Sequence, residues 1–192
     1  MKKIPDEIDN PIDNILISLS DKLCPFLYET GHTPNMITTY SLITGLLSCY
    51  FLYHHHISLF CIFYLLSYFF DCVDGHFARK YEMTSDIGDM YDHIKDISIV
   101  ALIIYIVYRN CGKITITHIT VFIVAFVMMS IHFSCQEMNC NDKFNGKNNS
   151  YLPSSAICGD KDNIIWTRFF GCGTFQLVFI VLVSSICGKC KV

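Results

Sequence analysis

Asp71, Asp74, Asp92 and Asp96 stand in pairs three and four residues apart within a segment, 71–96, that is bounded by strongly apolar sequence. Residues at those spacings share one face of a helix, so two helical edges set side by side would gather four carboxylates. Such an oxygen-only donor set suits Mg2+ or Mn2+, whereas zinc would draw on Cys and His. Two ions held in this way commonly clamp phosphoryl oxygens during a displacement. Each carboxylate costs about 2.5–3.5 kcal/mol at the centre of an inserted helix, so four of them require compensating cations or a watery cavity and read as functional. The neighbours suit a phosphate substrate: Gly75 leaves room for close approach, Ala78 is small, and Arg79 offers a forked pair of donors. Gly88 removes bulk one turn before Asp92. Lys95, between two acids, reads as a balance for their charge, with a contact to a substrate phosphate as the alternative. Asp86 and Asp89 read as solvated acids favoured at a helix start.

The elements that must position these groups are membrane helices. The 192 residues are 52% hydrophobic and 16% charged, with a mean hydropathy of +0.39, too apolar for an ordinary soluble domain. A net charge of -3 without a basic stripe gives no reason to expect a nucleic-acid partner. Apolar runs predict spanning helices over 36–53, 57–70, 86–108 and 114–133, with a last one over 175–187. Residues 164–173 either extend that last helix or form a separate one, so the expectation is an all-α, multi-pass transmembrane bundle of five or six spans. Before it, residues 13–30 mix Leu19, Leu23 and Phe26 with Asp13, Asp21 and Lys22, an amphipathic pattern expected to lie along the membrane surface and to break at Pro25; an ordinary packing helix is the alternative.

Residues 75–85 read as a connection, and 135–163 as a long hydrophilic extramembrane loop. The organisation expected is an N-terminal segment, 1–32, and a transmembrane domain, 33–192, with the acidic motif at 71–96. In a five-span arrangement Lys22, Arg79, Lys80 and Arg168 fall on the acidic side and Arg109 and Lys113 on the other, which places the amino terminus and the acids in the cytoplasm. The Asn148-Asn149-Ser150 sequon would then go unused. Of the eleven cysteines, Cys49, Cys61 and Cys72 act as small hydrophobes in apolar runs. Cys187-Gly188-Lys189-Cys190 reads as a tail. His54-His55-His56 reads as an exposed loop, and a zinc site of His132 with Cys135, Cys140 and Cys158 matches no standard spacing.

Asp71, Asp74, Gly75, Ala78, Arg79, Gly88, Asp92 and Asp96 meet the pattern D-x2-D-G-x2-A-R-x8-G-x3-D-x3-D without exception. In this the chain resembles the CDP-alcohol phosphatidyltransferases, as does the Thr33-Pro34-Asn35-Met36-Ile37-Thr38 opening of the first span. The resemblance covers residues 33–133 well and the last third poorly. It implies an integral membrane enzyme of phospholipid synthesis that joins a CDP-linked donor to an alcohol and releases CMP. Asp71, Asp74, Asp92 and Asp96 would be ligands of two Mg2+ or Mn2+ ions, and Asp96 also the base for the attacking hydroxyl. Asn35, Thr38, Gly75, Arg79 and Ser85 would line the CDP site, with Ala78 keeping room for the nucleotide. A homodimer is implied, working in the endoplasmic reticulum of a eukaryote or the plasma membrane of a bacterium. CDP-diacylglycerol is the favoured donor because the chain is compact. Asp92-His93 followed by Asp96 is also similar to the aminoalcohol branch, which joins CDP-choline or CDP-ethanolamine to diacylglycerol. A cation channel would explain buried acids but neither Arg79 nor the glycine spacing, and an inactive scaffold would have no need of intact acids.

Overall fold

A computed structural model describes residues 6–111, 114–144 and 161–188. All regular structure among them is helical: α1 (Pro11–Glu29), α2 (Pro34–Tyr53), α3 (Ile57–Lys80), α4 (Asp86–Asn110), α5 (Ile116–Phe144), a short α6 (Lys161–Thr167), a 3-10 turn (Arg168–Phe170) and α7 (Cys172–Cys187). Among the described residues, four stretches are long and apolar enough to cross a membrane: Pro34–Tyr53, Ile57–Lys80, Ile116–Gln136 and Ile164–Cys187. The 25 residues of α4 are also long enough, about 37 Å at the helical rise, but acids occupy its first half. The protein is therefore an all-α, multi-pass membrane protein.

Several boundaries differ from those the sequence suggests. The second span continues through the acids to Lys80, so residues 75–80 are helix and the connection shrinks to 81–85. Gly75 costs too little, about 1 kcal/mol, to stop a helix held by apolar flanks. The fourth span runs on to Phe144, into the stretch expected to be loop. Of the two readings of residues 164–173, the separate helix is found: they hold the end of α6, a 3-10 turn and the first residues of α7, all within the one apolar stretch Ile164–Cys187. Cys187 is bonded to Cys111, 76 residues away, so the terminal cysteine motif is more than a tail. Cys135 is itself disulfide-bonded, which removes its thiolate from any zinc site. The sequon, Cys140, Cys158 and Cys190 lie outside the residues or side chains described.

Nor does α1 break at Pro25. Proline cannot donate to the carbonyl four residues earlier, that of Asp21. Lys80 Nζ supplies the missing donor at 3.4 Å, and its ammonium also pairs with the Asp21 carboxylate at 2.6 Å. His76 Nε2 meets the same carboxylate at 3.1 Å. The Lys80 ammonium, and after it the His76 ring, hold the Asp21 carboxyl below its usual range.

The chain forms two compact units. One comprises residues 16–114 and 180–192. In it Cys24 and Leu27 of α1 pack with Ile37, Val73 and Phe77, while Tyr28 stacks on Tyr81 with centroids 4.1 Å apart. The opposite face of α1 leaves Ile15, Leu19 and Phe26 exposed, four and seven residues apart on one stripe. One face of α1 therefore packs and the other is apolar and open. Gly31, at a φ of 76°, turns the chain from α1 to α2, and His32 N–H closes on the Leu27 carbonyl at 3.0 Å. Small residues let α2 approach its neighbours: a Cβ on Gly45 would come within 3.0 Å of both Ile99 and Ser67. The Ser41 and Ser67 hydroxyls bond across α2 and α3, each to the other's carbonyl. The 111–187 disulfide closes the end of α4 opposite its acids.

The other unit comprises residues 2–15 and 115–179. Phe122, Phe126, Phe175 and Phe179 form an aromatic cluster with α5–α7 centroid separations of 5.8–6.3 Å. Fully buried Asn10 ties the ends of the unit together, its Nδ2 donating to the Arg168 carbonyl at 2.7 Å and to Thr174 Oγ1 at 2.9 Å. Arg168 in turn donates to the carbonyls of Glu7 and Asp6.

Candidate metal and phosphate site

Three helices of the first unit build the site. α3 carries Asp71 and Asp74 one turn apart, and α4 carries Asp92, Lys95 and Asp96. α2 contributes Asn35, Thr38 and Ser41 along its first two turns. The starts of α2 and α4 are fixed by capping hydroxyls: Thr33 accepts from Met36 N–H at 3.4 Å, and Ser85 accepts from Gly88 N–H at 3.1 Å. A bond between Thr39 and Tyr91 hydroxyls, 3.2 Å, holds α2 against α4.

The geometry brings together three of the four acids as a cluster. One carboxylate oxygen from each of Asp71, Asp74 and Asp92 lies within 4.8 Å of the others. Asp74 is 6% exposed and its Oδ2 has no hydrogen-bond partner; Asp92 Oδ1 is likewise buried without one. Buried carboxylate oxygens without donors are costly unless a cation completes them. Oxygen-only donors, convergence and unmet acceptors together fit a Mg2+ or Mn2+ ion. Asp96 stands apart from this trio, with more than half of its side chain exposed.

Lys95 fills the gap between the trio and Asp96. Its side chain is 2% exposed, and its ammonium pairs with Asp71, with Asp92 at 2.9 Å and with Asp96 at 2.9 Å, and donates to Ser41 Oγ at 3.2 Å. The Asp92 contact has the distance of an ion pair without the alignment of a hydrogen bond, which is why Asp92 Oδ1 still lacks a donor. The sequence identified Lys95 as a balancing charge but gave no sign that Ser41 also binds it. An apolar run interrupted by a serine has no signal beyond polarity.

The other candidates group around the starts of α2 and α4. A Cβ on Gly88 would lie 3.0 Å from Ser85 Oγ and 3.1 Å from Asn35 Oδ1, so these three residues converge and any larger residue would have to displace a side chain. The Arg79 guanidinium folds back over Gly75, where an added Cβ would come 3.2 Å from Nη1. Ala78 lies one turn beyond Asp74, and Thr38 is buried beside the Asp74 carboxyl. Asp86 and Asp89 are exposed in the first turn of α4, as solvated acids are. The tie from His76 to Asp21 was not foreseen from sequence, because 55 residues separate the partners.

The family model for CDP-alcohol phosphatidyltransferase covers residues 31–158, about two thirds of the chain, and includes α2, α3, α4 and every residue of the acidic pattern. No curated protein and no solved structure matches the chain. With the pattern complete on two adjoining helices and the family model spanning most of the sequence, the chain belongs to the CDP-alcohol phosphatidyltransferase family and is a membrane-embedded phosphotransferase of phospholipid synthesis.

Proposed function

We propose that the enzyme transfers a phosphatidyl group from CDP-diacylglycerol to the hydroxyl of a small alcohol and releases CMP, using Mg2+ or Mn2+. The observation that carries this reading is the convergent trio of Asp71, Asp74 and Asp92, with one unmet oxygen each on Asp74 and Asp92, set beside Gly75 and Arg79. Asp71, Asp74 and Asp92 would hold the divalent ion, which when bound neutralises diphosphate oxygens and polarises the bond to the leaving CMP.

The chain's own groups account for the remaining work. Arg79 binds a phosphate oxygen pair through its planar fork after swinging from its place over Gly75. Asn35, Ser85 and Gly88 form a narrow polar ledge where the starts of α2 and α4 meet, suited to the nucleotide, with Thr38 and Ala78 alongside. Asp96 takes the proton from the acceptor hydroxyl. A carboxylate is a weak base for an alcohol, so the proton moves late, as the new bond to phosphorus forms. The exposure of Asp96, against the burial of Asp74, supports a small polar acceptor arriving from water. The enzyme works as a homodimer with the acids facing the cytoplasm; the excess of Lys and Arg on the acidic side supports that orientation. Asp92-His93 keeps one second reading open, an aminoalcohol phosphotransferase that uses CDP-choline or CDP-ethanolamine and diacylglycerol.

The test is CMP release by purified protein in detergent with Mn2+ or Mg2+, offered CDP-diacylglycerol or CDP-choline separately with panels of acceptors. Metal-dependent release with CDP-diacylglycerol and a small alcohol is expected. Release only with CDP-choline and diacylglycerol would transfer the enzyme to the aminoalcohol branch. No release from folded protein with any pair would overturn the reading.

A further inference from the structure

Lys95 has a second consequence for the metal centre. Its ammonium is surrounded by four oxygens, those of Ser41, Asp71, Asp92 and Asp96, yet an ammonium has only three N–H donors. This is the environment of a bound cation more than of a tethered surface lysine. The ammonium stands where Asp71, Asp92 and Asp96 converge, the place from which a second divalent ion would have to draw its ligands. Asp74 makes no ion pair with Lys95, and its Oδ2 is buried without a hydrogen-bond partner. The centre is thus divided. Asp74 Oδ2 offers an unmet acceptor to a mobile cation, within reach of carboxylate oxygens of Asp71 and Asp92, while Asp96, with Asp71 and Asp92, already has a covalently attached one.

We propose that the Lys95 ammonium permanently replaces one of two divalent ions, so that the enzyme binds a single Mg2+ or Mn2+ at Asp71, Asp74 and Asp92. This rests on the divalent-ion reading of the same acids given above. Charge makes the division workable: four carboxylates with Lys95 and one divalent ion leave a net charge of -1, whereas two divalent ions beside Lys95 would leave +1 crowded into one buried site. Mg2+ binds oxygen at about 2.0–2.1 Å, so a second ion could enter between Asp71 and Asp96 only by expelling an ammonium whose stem is buried. Asp96 is thereby relieved of metal binding and remains available to the acceptor hydroxyl.

The experiment is Mn2+ binding to the full-length protein in detergent, read as bound ions per chain by equilibrium dialysis and as isolated or spin-coupled ions by electron paramagnetic resonance. Wild type is expected to bind one ion with an uncoupled spectrum. Lys95→Met is expected to bind two with a coupled spectrum, and Asp96→Asn, which keeps the lysine and adds no buried charge, is expected to retain one. Two coupled ions in wild type would overturn the inference while leaving the divalent-ion reading intact, and that arm needs no variant to fold. One ion in folded Lys95→Met would also overturn it. No bound Mn2+ in wild type would overturn both this inference and the reading beneath it.

Discussion

Two buried polar centres in this chain are finished to different degrees. Around Asn10 the second unit ties its ends together with amide, hydroxyl and carbonyl groups and a single carboxylate: Asn10 meets a carbonyl and a hydroxyl, Ile12 N–H returns to Asn10 Oδ1 at 3.0 Å, and Gln136 donates to Asp9 at 3.3 Å. A few ring and guanidinium nitrogens there, on His132 and Arg168, stay without partners. Between α3 and α4, by contrast, three carboxylates pair with one ammonium, and Asp74 Oδ2 and Asp92 Oδ1 accept no hydrogen bond. Networks that satisfy their own members fix a structure, while acceptors left open in an apolar setting cost stability and persist where a ligand completes them. The first centre holds the fold and the second is held open by it.

Changing each centre should therefore give opposite signatures. The largest effect is expected from the acids: Asp71→Asn and Asp96→Asn should each lower CMP release by at least about 10²-fold. Asp71→Asn should weaken Mn2+ binding as well. Asp96→Asn should leave folding and CDP binding largely intact, and retained turnover in that variant would remove Asp96 as the base. At the other centre, Asn10→Ala should cost about 3 kcal/mol of stability, seen in thermal unfolding, because it removes the hydrogen bonds to the Arg168 carbonyl and Thr174 and opens space against Gly171. Activity per folded molecule should be unchanged; a loss confined to turnover would erase the contrast between the two centres.

Smaller effects sharpen the comparison. Cys111→Ser should lower stability by about 2 kcal/mol without altering Mn2+ binding, since the disulfide lies at the end of α4 away from the acids. Asp21→Asn should cost less than about 1 kcal/mol, as its carboxylate is largely exposed. Because Lys80 and His76 lower the Asp21 pKa, this tie is fully present above the ordinary carboxylate range and is lost as pH falls through the lowered value. Unfolding measured in acid should show wild type losing its margin over Asp21→Asn.

What the sequence revealed follows from distance along the chain. Asp71 with Asp74, and Asp92 with Asp96, share helical faces, so periodicity alone set each pair on its edge, and the motif order joined the edges. Helical periodicity also located the spans but misjudged their ends, since Gly75 and Pro25 look like breaks until packing is known. The Lys80 donor that replaces the proline's missing N–H comes from 59 residues away. The 111–187 disulfide and the Asn10 tie to Arg168 likewise depend on partners brought near only by the fold. Lys95 was visible as a charge, but its encirclement by Ser41 and three acids depends on how closely three helices approach.

The fastening of α1 at Pro25 has a mechanical meaning for an enzyme whose substrate is part of its solvent. Lys80, which completes the Asp21 carbonyl, ends α3 six residues after Asp74, about 9 Å along the axis. Leu19 and Phe26 are exposed on the same helix, so α1 couples an open apolar face to the acidic end of α3. A pull on that face reaches Asp74 through Lys80 and less than two turns of helix.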